Sequence, residues 1–138
     1  MAREVFLDTA YAIALSSRTD TFHSKAIEVA KQLKIDSIKL VTTRAVLLEI
    51  GNALAGQRFR SAAIKLLDAV EADPSVGIVP LTESLYRQAF TLYRERPDKE
   101  WGLVDCISFV VMRERKIQDA LTTDAHFQQA GYKALLRE

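Results

Sequence analysis

The chain has few of the residues that usually announce a chemistry. It contains one cysteine, Cys106, so no internal disulfide can form, which suits a reducing cytoplasm. Its two histidines, His23 and His126, are too far apart for the i, i+4 spacing of a zinc-binding helix. No stretch of 18 apolar residues occurs, so no membrane-spanning segment is expected. The opening "MAREVFLDTA" lacks the basic region, apolar stretch and cleavage site of a signal peptide. Glycine-rich phosphate loops of the G-x-x-x-x-G-K-[ST] or G-x-G-x-x-G kind are missing, which argues against nucleotide-cofactor enzymes. No repeat, low-complexity tract or long linker divides the 138 residues, so a single domain spanning 1–138 is expected. The net charge of +1 shows no bulk preference for a polyanion.

What remains is an ordinary globular composition, 49% hydrophobic and 27% charged. "EVFLD" is a short apolar run stopping at Asp8, as suits a strand buried on both faces of a parallel sheet. "IKLVTT", "SVGIVPL", "QDALTTDAHF" and "YKALL" supply four more strand candidates, the fourth running into Asp124. Between them lie helical patterns. In "RAVLLEIGNAL", Val46, Leu47, Ile50, Ala53 and Leu54 share one arc, with Glu49 about 60° off Val46 on its flank. Phe59, Ala62, Ala63, Leu66, Leu67 and Val70 mark the clearest helix, a scaffold with no chemistry on its buried face. "TESLYRQAFTLYRER" is capped by Thr82, with Tyr86, Ala89, Phe90 and Tyr93 on one side, and its tyrosine and phenylalanine stripe is expected to face the core. "WGLVDCISFVVM" is apolar nearly all round and therefore central, yet it carries Asp105 in its first turn. Strands alternating with helices predict an α/β fold with a mainly parallel sheet of four to five strands.

A buried lone carboxylate costs several kcal/mol or loses its charge, so Asp105 needs a partner. Asp8 and Asp124 follow apolar strands and should lie at the strands' carboxyl ends, where ligands bind in open α/β sheets. Asp105 begins a helix abutting the same edge, and Glu49 sits in the second turn of another. Each acid has a plain structural role available: Asp8 and Asp105 as helix-start residues, Asp124 in an Asx-turn, Glu49 paired with Arg44 or Arg58. Gathered together, however, like charges repel unless a cation compensates them. An oxygen-only cluster with no converging histidine favours Mg²⁺ or Mn²⁺ over zinc, and His126 is expected to be structural or at the surface. Such a cage suits phosphoryl chemistry by activated water, without a side-chain nucleophile. Ser108, one turn after Asp105, would orient a carboxylate or water. "YRERPDKEW" reads as a solvated loop whose Arg94, Arg96 and Lys99 form a basic rim able to attract phosphates.

These residues, in this order, resemble the PIN domain family of metal-dependent ribonucleases, which includes VapC toxins. "VFLDTA", "TTRAVLLEIGNAL", "WGLVDCISF" and "LTTDAHFQQAG" resemble its four motifs, and the likeness runs from about residue 4 to the C-terminus. It implies a three-layer, flavodoxin-like α/β/α sandwich with Asp8, Glu49, Asp105 and Asp124 as catalytic, metal-holding acids. It also implies supporting roles for Thr9, Asn52, Ser108 and Thr123, an RNA substrate, a homodimer and a blocking antitoxin partner. Two other readings compete. A phosphatase forming an aspartyl-phosphate on Asp8 would want a second acid at position 10, where Ala10 stands. A catalytically silent module binding RNA or protein would have no need of a self-repelling cluster.

Overall fold

The computed structural model describes residues 3–138. Five parallel strands form one sheet in the order β3-β2-β1-β4-β5. They are β1 (Glu4–Leu7), β2 (Lys39–Thr43), β3 (Val76–Val79), β4 (Asp119–Leu121) and β5 (Lys133–Ala134). Seven helices flank it: α1 (Thr9–Ser16), α2 (His23–Ile35), α3 (Arg44–Ala53), α4 (Gln57–Ala72), α5 (Glu83–Glu95), α6 (Leu103–Arg115) and α7 (Ala125–Gln129). The expected parallel α/β architecture is therefore present, with five strands.

From β1 the chain winds outward through β2 to β3, then crosses back over the sheet to β4 and on to β5. Right-handed crossovers in opposite directions place their helices on opposite faces, which makes the three layers. The reversal leaves β1 and β4 as neighbours whose onward connections diverge, so a crevice opens at their carboxyl ends. Asp8 and Asp124 follow those two strands.

The core follows from burial on both sheet faces. Val5, Phe6 and Leu7 of β1 and Ala120 and Leu121 of β4 are buried. Helix α6 buries every residue from Cys106 to Met112, which accounts for its unbroken apolar run. Two expected strand ends move. The fourth strand stops at Leu121 and the chain turns into α7, because Thr122 and Asp124 use their side chains to cap that helix and its entry. The fifth is two residues long and passes into a 3₁₀ turn at Leu135–Arg137.

The aromatic stripe of α5 departs from expectation more sharply. Tyr86 and Tyr93 are 37% and 47% exposed, and Phe90 lies half-buried between them. Of the expected face only Ala89 is fully inward; the helix buries it together with Leu85 and turns the rings towards solvent.

Candidate active site

Asp8 is placed by the sheet itself. Its backbone N–H donates to the Leu121 carbonyl at 3.3 Å, continuing the β1–β4 ladder one residue beyond the Leu7–Leu121 pair. That register sets Asp8 opposite Thr122, whose hydroxyl donates to Asp8 Oδ2 at 2.7 Å. On the other side, buried Thr42 donates to the Leu7 carbonyl at 2.8 Å and ties the end of β1 to β2. Asp8 also caps α1 by accepting a bond from the Ala10 N–H at 3.4 Å. Only 4% of Asp8 is exposed. Burial pushes its carboxyl up to about 7, with the Asp105 charge adding to the rise and the Thr122 and backbone hydrogen bonds opposing it.

Asp105 enters from the opposite face on α6. The Gly102 N–H donates to its Oδ2 at 3.1 Å, satisfying one of the open donors at the helix start. The same oxygen lies 2.9 Å from His126 Nδ1. Burial raises this carboxyl too, as does the nearby Asp124 charge, while His126 and Gly102 pull it down. Asp124 caps α7 by accepting a bond from the His126 N–H at 2.8 Å, and its Oδ1 lies 3.5 Å from His126 Nδ1. Asp105, Asp124 and His126 thus offer ligand atoms that all lie within 4.8 Å of one another.

Three of the four expected acids are therefore coupled: Asp8 feels Asp105, and Asp105 feels Asp124. Glu49 joins through a different route. It is half-buried on α3, whose start is capped by Thr43, and it accepts a hydrogen bond from the Thr9 hydroxyl next to Asp8. Neither surface arginine takes it, since Arg44 pairs with Glu71.

The sequence misplaced several companions. His126 stands inside the cluster and not apart from it, so the site offers an imidazole among its oxygens. A five-residue helix opening on Asp124 turns it inward, and a helix so short leaves no periodicity to read. Thr122, absent from the expected set, bonds both the Asp8 carboxylate and the Asp124 N–H, whereas the Thr123 side chain makes no such bond among the described residues. Ala120, Leu121 and Thr122 are buried in succession, so the end of β4 offers no alternation that would single out Thr122. Ser108 is buried and bonds back to the Val104 carbonyl at 3.1 Å, so it does not orient a carboxylate. Asn52 is exposed and has no side-chain hydrogen bond among the described residues. The Cys106 thiol is buried, and burial with the Asp105 charge pushes it up to about 11, which rules it out as a nucleophile near neutrality.

The basic rim also sorts itself. Arg96 makes a two-point pair with Asp98, each contact 2.9 Å, and lies over the Trp101 ring. Arg94 sits over the Phe90 ring at 4.7 Å and, like Lys99, forms no ion pair among the described residues.

A parallel α/β fold thus gathers Asp8, Asp105, Asp124 and His126 at the switch between its two central strands, an arrangement whose oxygens and imidazole could hold a metal ion. The PIN domain model matches residues 5–132, and the chain belongs to the PIN domain family. Over 128 residues it is 29% identical to the 23S rRNA-specific endonuclease VapC20 from two strains of Mycobacterium tuberculosis, covering 93% of this chain and 95% of the relative. The crystal structure of Mycobacterium tuberculosis VapC20, a Sarcin-Ricin loop cleaving toxin, superposes with a TM-score of 0.80 at 29% identity, over 93% of this chain and 95% of that one.

Proposed function

We propose that this protein is an endoribonuclease that hydrolyses RNA phosphodiester bonds with a divalent metal ion, as the toxin of a type II toxin–antitoxin pair. The observation that carries the reading is the convergence of Asp105, Asp124 and His126, whose ligand atoms lie within 4.8 Å of one another, beside the buried Asp8. Burial, with a smaller push from a neighbouring acid, raises the carboxyls of Asp8 and Asp105. A cluster that destabilises its own ionised state is suited to a cation.

The residues present fit Mg²⁺ or Mn²⁺. Hard carboxylate oxygens dominate, and the one imidazole is accepted more readily by Mn²⁺ than by Mg²⁺. Asp8, Asp105 and Asp124 are the proposed holders, with Glu49 aiding them and His126 added to the set. When bound, such an ion neutralises phosphate charge and lowers the pKa of water.

The chain's own groups fix the oxygens. Thr122 donates to Asp8, Gly102 and His126 bind Asp105, the His126 N–H donates to Asp124, and Thr9 restrains Glu49. Every acid therefore has a neighbour that limits its rotation, which is what catalytic placement requires. Asp8 protonated would be a poor ligand, so its ionisation and cation binding go together.

The RNA substrate, an antitoxin that blocks the crevice, a homodimer and a cytoplasmic location complete the proposal, by likeness to the VapC toxins. The whole chain is taken as one PIN domain. Among the described residues, no helix is long and apolar enough to cross a membrane.

The test is RNA cleavage in Mn²⁺ by the wild type, Asp8→Asn and Asp105→Asn. The wild type is expected to cleave and to stop on adding EDTA. Each variant should lose at least about 100-fold in rate, the scale of removing a preorganised electrostatic group. Undiminished cleavage by both variants would refute the reading, and absence of cleavage by the wild type would leave the silent module.

A further inference from the structure

The outward-facing rings of α5 are expensive to display without purpose, since exposed aromatic surface favours burial. Tyr86 and Phe90 have centroids 6.1 Å apart, and Phe90 and Tyr93 6.2 Å, so the three form a continuous ladder along the helix. The ladder is not purely apolar, because the Arg94 guanidinium lies on Phe90. From its lower end a cleft of about 540 Å³ runs past Tyr93, Arg94, Lys99, Glu100 and Trp101 to Gly102. Gly102 is the residue whose N–H holds Asp105. A track of rings, with Arg94 and Lys99 in no ion pair among the described residues, thus ends next to the acid cluster, and Glu100 is the one acid along it.

We infer that this track binds the single-stranded part of an RNA, bases stacking on the α5 rings and phosphates meeting Arg94 and Lys99. The inference rests on the proposed function only in taking the cluster to meet a phosphodiester chain. A chain with a phosphate at Asp105 must continue over adjoining surface, and here that surface offers what unpaired nucleotides need. Aromatic faces stack any base, and cations without carboxylate partners release counterions when they meet phosphates. Arg96 is not among the contacts, because Asp98 already occupies its guanidinium. The rings meet at tilts of 47° and 43° and so do not stack face to face on each other. Arg94 covers one face of Phe90, and Tyr86 and Tyr93 keep exposed surface for flat groups. A duplex keeps its bases inside and could use only the cations.

The experiment is fluorescence anisotropy with a labelled oligouridylate of about ten nucleotides, within the length range of single-strand sites. It is run in EDTA so that no cleavage intervenes. Tyr93→Ala should weaken binding about tenfold, the loss of one stacked base, and Tyr93→Phe should restore it. Arg94→Ala should lower the salt dependence of binding by about one charge. A duplex of the same length should bind more weakly than the single strand. Equal affinity of wild type and Tyr93→Ala, or equal binding of duplex and single strand, would overturn the track. So would light scattering in which Tyr93→Ala dissociates an oligomer, because the ladder would then be a contact between copies of the chain. A wild type that binds through Tyr93 yet never cleaves in Mn²⁺ would sink the proposed function and leave the track standing. One that cleaves with a KM indifferent to Tyr93→Ala would do the reverse.

Discussion

At Asp8, burial and charge are in open conflict. Its carboxyl is raised to about 7 from an ordinary 3.8, so between those values the folded protein holds a proton that the unfolded chain has released. Stability from this group is therefore full below about pH 4 and is lost as pH rises through about 7. In EDTA, Asp8→Asn should match the wild type at about pH 4 and melt several degrees higher at about pH 8, which thermal denaturation at the two values would show. Mn²⁺ should raise the wild-type melting temperature at about pH 8 and leave that of Asp8→Asn nearly unmoved. His126 makes a different point. Because its Nδ1 faces Asp105 and Asp124, His126→Ala should weaken Mn²⁺ affinity about 10- to 100-fold, read from the metal dependence of cleavage. At this scale the acids were legible in the chain because each interrupts or ends an apolar run. Thr122 and His126 were not, since nothing in local sequence tells which of two adjacent threonines, or which side of a one-turn helix, will face the crevice.

The elements that carry these side chains are held by a cluster of rings. Phe109 of α6 meets Trp101 edge-on at 5.0 Å and Phe127 of α7 edge-on at 5.0 Å, and Phe127 also approaches Phe6 of β1 at 6.4 Å. Trp101 further donates to Gln129 at 3.1 Å, joining the approach to α6 to α7. One packed cluster thus fixes the elements bearing Asp8, Asp105 and Asp124 relative to one another. Phe127→Ala should cost about 3–5 kcal/mol in urea denaturation, and cleavage should fall further than the remaining folded fraction explains. A loss confined to the unfolded fraction would show that the rings support the fold but not the site. Among the helices, α4 and α6 were plain in sequence, the first from its period and the second from its unbroken apolar character. The face of α5 was misjudged because alternative apolar sets share that helix. Leu85 and Ala89 are small and inward, and the larger rings, which weigh more in any hydrophobic pattern, lie outward.

Across the whole molecule, strand order does the work that no motif could. The alternation of apolar runs and helical periods identified a parallel α/β fold, but periodicity carries no information about which strands are neighbours. The placement of β1 beside β4, more than a hundred positions apart in the chain, brings Asp8 against Thr122 and the α7 cap, and it completes the site. The reversal of winding at that pair opens the crevice on the same edge as α3 and α6. The resemblance to the PIN domain family implied the three layers, and no strand order was read from it. Calorimetric titration of Mn²⁺ into the protein tests most directly why four acids share that edge. Saturable binding is expected for the wild type, with loss of at least an order of magnitude in affinity for Asp105→Asn, roughly the weight of one charged ligand. Heat of binding that is absent from the wild type, or unchanged by the substitution, would contradict the account.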